Sequence, residues 1–157
     1  MEFISKGLVY RVKAVQQLPM TVKEAWDFFS NPRNLAKITP ESLNFRILSG
    51  ADSSIYAGQI IQYKVSPLPF YTTTWVTEIT HVENEKLFVD KQLYGPYAMW
   101  HHQHYFKAIP GGVEVSDVVD FKVPLGWFGR ILSKGLIKGE ILKIFSHRNE
   151  ALTALFG

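Results

Sequence analysis

Three of the chain's five histidines fall within one stretch, Ala98 to Ala108, A-M-W-H-H-Q-H-Y-F-K-A. Read as a strand, whose side chains alternate between faces, it places Trp100, His102, His104 and Phe106 on one side and Met99, His101, Gln103, Tyr105 and Lys107 on the other. An imidazole can carry a proton near neutral pH, ligate a metal or make a hydrogen bond, and one buried without a partner is costly. Two of them among large aromatics suit the wall of a polar-lined pocket better than plain core. A carboxylate stands within reach. After the turn Ile109-Pro110-Gly111-Gly112, the residues Val113, Val115, Asp117, Val119, Phe121 and Val123 share a face, so one acid sits among valines, while Glu114, Ser116, Asp120 and Lys122 turn to solvent. Pairing outward from Pro110-Gly111 sets Asp117 directly across from His104, with Cβ atoms ~4.5–5.5 Å apart.

Such a pair supports more than one chemistry. In an apolar cavity a His–carboxylate couple can serve as general acid and base, or orient a ligand that carries carbonyl or hydroxyl groups. It can equally do no more than fix sheet register, Asp117 holding one tautomer of His104. A metal site is disfavoured. His102-x-His104 does point two imidazoles the same way, as in two-histidine-one-carboxylate centres. A cupin-type pattern, however, wants an acid about four residues after the second histidine, where Ile109 stands, and Asp117 would have to be ligand and outer partner at once. No metal and no other cofactor is expected. His101, on the opposite face, and His147 read as surface histidines.

The surrounding elements must hold these groups in place. Leu8 to Leu18 alternates as a half-buried strand, with Leu8, Tyr10, Val12, Ala14, Gln16 and Leu18 inward. Thr21 and Glu24 form a capping box ahead of helically spaced Val22, Ala25, Trp26 and Phe29. Asn31-Pro32 ends that helix, and Pro32 to Ile38 starts a second short one. Strands follow at Leu43–Leu48, Gly58–Val65 (Ile61, Tyr63 and Val65 inward), Tyr71–Val82 (Tyr71, Thr73, Trp75, Thr77, Ile79 and His81 on one face) and Lys86–Tyr94. In the last of these, periodicity does not say whether Phe88, Asp90, Gln92 and Tyr94 or their neighbours face inward. From about Trp127 to Leu155 the chain reads as one long helix with an apolar face of Ile131, Leu132, Leu136, Ile137, Ile141, Leu142, Ile144, Phe145, Leu152 and Leu155. Lys134, Lys138, Lys143 and Arg148 read as its solvated face. Gly135 and Gly139, each costing about 1 kcal/mol in a helix interior, either leave volume beside the sheet or allow close backbone packing. Leu125-Gly126-Trp127-Phe128-Gly129 seals the end of the core or gates a cavity.

At 157 residues the chain is read as one domain, 1–157. Without cysteine it has neither disulfides nor thiolate chemistry. A net charge of +3, scattered rather than clustered, argues against nucleic-acid binding. With neither a signal-type segment nor a long apolar run, the expectation is a cytoplasmic protein with no integral membrane association. Aromatic residues at 14% exceed what a minimal core needs and fit an aromatic-walled cavity.

Three stretches carry a resemblance: A-W-D-F-F-S-N-P-R-N-L-A-K-I-T-P at 25–40, D-K-Q-L-Y-G-P-Y-A-M-W-H-H-Q-H-Y-F at 90–106, and G-G-V-E-V-S-D-V-V-D-F-K-V-P-L-G at 111–126. The chain resembles the SRPBCC superfamily, the START-related group that includes polyketide cyclase/dehydrases, and within it the bacterial ligand-binding SRPBCC domain proteins. The resemblance implies an α+β helix-grip fold, a curved antiparallel sheet wrapped around a long C-terminal helix with two short helices after the first strand. It also implies a deep cavity between sheet and helix, with Asp90 and Gln92 facing into it. The polar set would then be Tyr63, Thr77, Asp90, Gln92, His102, His104 and Asp117, with Trp75, Trp100 and Phe106 gripping an apolar body. The expected function is binding of a small hydrophobic or aromatic, lipid-like molecule. The alternative is a cyclase/dehydratase-type enzyme using His104 and Asp117 as its acid–base pair, and a weaker one is a regulatory protein using the pocket as a sensor. Nothing in the sequence speaks to oligomeric state.

Overall fold

Alternation with a period of two organises the chain into strands wherever β-branched and aromatic residues dominate, and the computed structural model, which describes residues 1–124 and 133–157, pairs them into one antiparallel sheet. Its strands are β1 (Glu2–Lys6), β2 (Val9–Leu18), β3 (Arg46–Ser49), β4 (Ile60–Leu68), β5 (Tyr71–Glu83), β6 (Leu87–Tyr94), β7 (Met99–Ile109) and β8 (Gly112–Lys122). They lie in the order β1-β2-β8-β7-β6-β5-β4-β3. The sequence-last strand therefore sits beside β2, and β7 lies centrally between β8 and β6.

Helix α1 (Val22–Phe29) starts on the expected capping box, Thr21 accepting from the Glu24 amide while the Glu24 carboxylate accepts from the Thr21 amide. Its Trp26 meets Phe106 and Phe88 edge-on, at 5.4 and 6.0 Å. A 3-10 segment, Pro32–Ile38, follows with Asn31 as its cap, and a shorter one spans Glu41–Leu43. The C-terminal helix α2 (Lys138–Phe156) is entered through one wide π-type turn, Ser133–Ile137. Ile141, Phe145, Arg148 and Leu152, spaced i, i+4, i+7 and i+11, form its buried stripe. Ile141 and Phe145 pack on Tyr10, Val12, Val119 and Phe121, and Leu152 on Leu18, Val113 and Trp26. The sheet thus closes around α2 from the β2–β8 side.

The structure departs from the sequence reading at definite places. β1, a hairpin partner for β2, is an eighth strand that the reading did not contain. Leu8 belongs to the turn and is exposed. His81 leaves the face of Thr77 and Ile79 because the β5–β6 register shifts between Ile79 and His81, which turns Ile79 into the core and His81 outward. Leu136 and Leu155 are exposed rather than part of the apolar face. Arg148 is buried rather than solvated. A Cβ at Gly135 or Gly139 would meet no neighbouring atom, so close backbone packing is not their role. The expected gate, Trp127 and Phe128, lies outside the described residues, as do Ile131 and Leu132.

Candidate functional site

The β7–β8 register is the one expected: His104 stands opposite Asp117. Across the other edge of β7, Asp90 stands opposite His102. Both imidazoles, at i and i+2, project to the inner face between two carboxylates. The hydrogen bonds run diagonally. His102 Nε2 donates to Asp117 Oδ1 at 2.9 Å, and His104 Nε2 donates to Asp90 Oδ2 at 2.7 Å. The directly opposed atoms also come near, His104 Nδ1 at 3.0 Å from Asp117 Oδ1 and His102 Nδ1 at 3.6 Å from Asp90 Oδ2. Arg148 reaches in from α2 and places Nη2 3.0 Å from Asp117 Oδ1. Neither His104 Nδ1 nor Arg148 Nη2 makes an aligned hydrogen bond.

His102, His104, Asp117 and Arg148 are each 5–8% exposed, and the imidazole centroids lie 3.7 Å apart. Phe88 stacks on His104 at 4.0 Å and Phe145 meets His102 edge-on at 6.1 Å, which fixes both ring planes. Charge follows from these contacts. Burial opposes the Asp117 charge, but the Arg148 guanidinium, helped by both histidines, holds the carboxyl well below the ordinary carboxylate value. Asp90 is likewise held low against its burial, by His102 and then His104. Burial and the neighbouring His104 push His102 down, whereas the two carboxylates outweigh burial at His104 and push it up.

The cluster forms one wall of a cavity of about 210 Å³. Of the residues expected to bind, Tyr63, Trp75, Thr77, Asp90, Trp100, His102 and His104 line it. Trp75 and Trp100 meet at 5.2 Å and 87°. Gln92, Phe106 and Asp117 do not line the cavity. The Gln92 amide instead bonds both backbone groups of Tyr97, at 2.7 and 3.2 Å, and so shapes the turn between β6 and β7. Phe106 is core beneath Trp26, and Asp117 lies behind the two histidines. The sequence reading missed Tyr97 and Arg148 on the wall, along with apolar residues such as Phe29 and Ile141. Arg148 carried a signal, since it falls on the same helical stripe as Ile141, Phe145 and Leu152. Tyr97, in the turn after Gly95-Pro96, carried none. Burial, with Asp90 adding to it at Tyr63, raises both the Tyr63 and Tyr97 hydroxyls, so each stays protonated and able to donate.

Chemically, the wall offers two imidazoles, each bonded to a carboxylate, with the proton held more firmly at His104 than at His102, and phenolic donors in an otherwise apolar space. Asp90, His102 and His104 also offer one metal-ligand atom each, all within 4.8 Å of one another.

No family model and no curated protein matches the chain. Solved structures do. Protein Ms6760 from Mycobacterium smegmatis aligns over 99% of this chain and 98% of its own at 16% identity, with a TM-score of 0.67. TTHA0849 from Thermus thermophilus aligns over 92% and 98% at 12% identity, with a TM-score of 0.69. Ginseng major latex-like protein 151 from Panax ginseng aligns over 96% and 99% at 12% identity, also with a TM-score of 0.69. At such identities the likeness is one of fold, and that fold is the START-like helix-grip arrangement, an antiparallel sheet curved around a long C-terminal helix.

Proposed function

We propose that this protein binds a small, mainly apolar molecule in the cavity between sheet and α2, and that the histidine–carboxylate wall orients the molecule's carbonyl or hydroxyl oxygen. The carrying observation is an apolar cavity with polar groups gathered on one side, the usual make-up of a small-molecule site. Its volume limits the occupant. A 150 Å³ apolar cavity accepts benzene, so about 210 Å³ suits a molecule of one or two rings. The resemblance to ligand-binding SRPBCC domains supports the same reading. Protein purified from its native source, examined by native mass spectrometry and solvent extraction, should carry a small apolar molecule. Its removal should change Trp emission, because Trp75 and Trp100 line the space. A protein that carries nothing, and whose Trp emission no one- or two-ring aromatic alters, would overturn the proposal.

A second reading is an acid–base enzyme of the cyclase/dehydratase type. The hydrogen bond from His102 to Asp117 favours it, since it fixes an imidazole at the cavity wall. His102 rather than His104 is then the partner of Asp117. Once the ligand is known, the two readings separate on His102→Gln: a binder loses affinity alone, whereas an enzyme loses turnover at retained affinity.

A further inference from the structure

We propose that Asp90, His102 and His104 form a binding site for one divalent transition-metal ion, with its open coordination positions facing the cavity. The three ligand atoms are Asp90 Oδ2, His102 Nδ1 and His104 Nε2. Ligand atoms ~2.1 Å from one ion, at tetrahedral to octahedral angles, stand about 3.0–3.4 Å apart. The two spacings from Asp90 Oδ2, 2.7 Å to His104 Nε2 and 3.6 Å to His102 Nδ1, bracket that range, while the set as a whole spreads up to 4.8 Å and closes on one ion by rotation of an imidazole. Two imidazoles and one carboxylate are a donor set suited to Zn²⁺ or Fe²⁺ rather than Mg²⁺ or Ca²⁺.

The outer shell is what makes this more than a cluster of ligating residues. Metal-bound imidazoles almost always direct their other ring nitrogen to a carboxylate or carbonyl, which sets tautomer and ring plane. Here His102 Nε2 bonds Asp117 Oδ1 at 2.9 Å, and His104 Nδ1 lies 3.0 Å from the same atom, close to it but not in line for a hydrogen bond. The Arg148 guanidinium stands 3.0 Å from that atom and offsets its charge. The objection that Asp117 would have to be ligand and outer partner at once falls away, because Asp90, on the opposite strand, supplies the ligand oxygen. Two carboxylates face one guanidinium, and an entering cation takes the place of the proton that His104 Nε2 donates to Asp90. Access exists as well, since Asp90 keeps 16% side-chain exposure and all three ligands line the cavity.

Ion binding stands independently of the ligand proposal above. Only the role of the open positions, to take an oxygen or nitrogen donor of the cavity's occupant, rests on it.

The test is a Zn²⁺ titration of chelator-stripped protein by calorimetry, without any organic ligand. One equivalent should bind at about micromolar Kd or tighter. His102→Gln or His104→Gln should weaken it about 100-fold or more, Asp117→Asn about 10–100-fold as a positioning residue, and His81→Gln not at all. Because the buried variants can lose their fold, histidine-ring ¹⁵N spectra of the unaltered protein provide a second readout. Zn²⁺ should move the Nδ1 resonance of His102 and the Nε2 resonance of His104. Binding weaker than about 100 μM, or shifts confined to His81, His101 or His147, overturns the site. Failure here together with a co-purifying apolar molecule leaves the ligand proposal intact.

Discussion

Replacing Arg148 by methionine tests whether the guanidinium is the counter-charge that allows Asp117 to stay ionised in the core. Methionine keeps most of the apolar stem but also removes the guanidinium from over the Phe29 ring, 5.1 Å from its centroid, so the double variant below, not the single one, isolates the pair with Asp117. At 3.0 Å and an effective dielectric of ~20 the gross attraction is about 5 kcal/mol. Two imidazoles remain beside Asp117 and take over part of that role, which leaves an expected loss of about 3 kcal/mol, at the lower end of what a broken buried pair costs. For a chain of this length that lowers Tm by about 6–12 °C. Urea unfolding at pH 7 with a chelator present, followed by Trp fluorescence and far-UV circular dichroism, measures the loss directly. Asp117→Asn should show a loss of similar size. In the double variant Asp117→Asn/Arg148→Met the two losses should fall short of additivity by about 2 kcal/mol. An Arg148→Met loss below about 1 kcal/mol, with additive behaviour in the double variant, would refute the argument that this pair ties α2 to β8.

Other outcomes follow from single features. Because the Asp117 carboxyl is held low in the folded state, facing His102, His104 and Arg148, its contribution to stability is fully present above the unfolded value of ~3.9 and is lost as pH falls through the lower folded value; acid titration of the metal-free protein should show this drop, and Asp117→Asn should remove it. Gly50→Ala should destabilise by more than about 1 kcal/mol in urea unfolding, since φ is +84° and the added Cβ would stand 2.1 Å from the Ile60 carbonyl oxygen. Gly139→Ala, with nothing within 4 Å, should instead raise Tm through a gain of up to about 1 kcal/mol of helix propensity. Trp26→Ala, which removes the ring packed edge-on against Phe88 and Phe106, should cost about 3–5 kcal/mol.

How far the site could be read from the sequence depended on the range of the signal. Hairpin geometry is local, so the His104–Asp117 register followed from Pro110-Gly111 alone, and the capping box followed from Thr21 and Glu24. The partner that each imidazole bonds did not follow. Register fixes which Cβ atoms face each other, whereas ring orientation is set by Phe88 and Phe145, contributed by β6 and α2. Asp90 was ambiguous because each face of its strand mixes apolar with polar residues, Leu87, Val89 and Leu93 with Lys91 against Phe88 and Tyr94 with Asp90 and Gln92, and only the family resemblance turned it inward. Arg148 was misread because a charged residue on a helix is ordinarily solvated, although its phase relative to Ile141 and Phe145 placed it on the buried stripe. His81 was misplaced by the bulge after Ile79, which alternation alone does not reveal.

The strand order has a consequence for synthesis. β2 is complete at Leu18, yet its second neighbour, β8, begins only at Gly112. A ribosome adding ~5–20 residues per second spends roughly 5–20 s between those points. Throughout that interval the β1–β2 hairpin lacks the strand that covers Tyr10 and Val12 and closes its second edge. Arg11 and Lys13 on its other face give the waiting edge charges of the kind that discourage pairing with a foreign strand. Arg11 afterwards takes up Asp120 of β8 at 2.6–2.7 Å, so the same side chain that guards the nascent hairpin later clasps the strand that completes it.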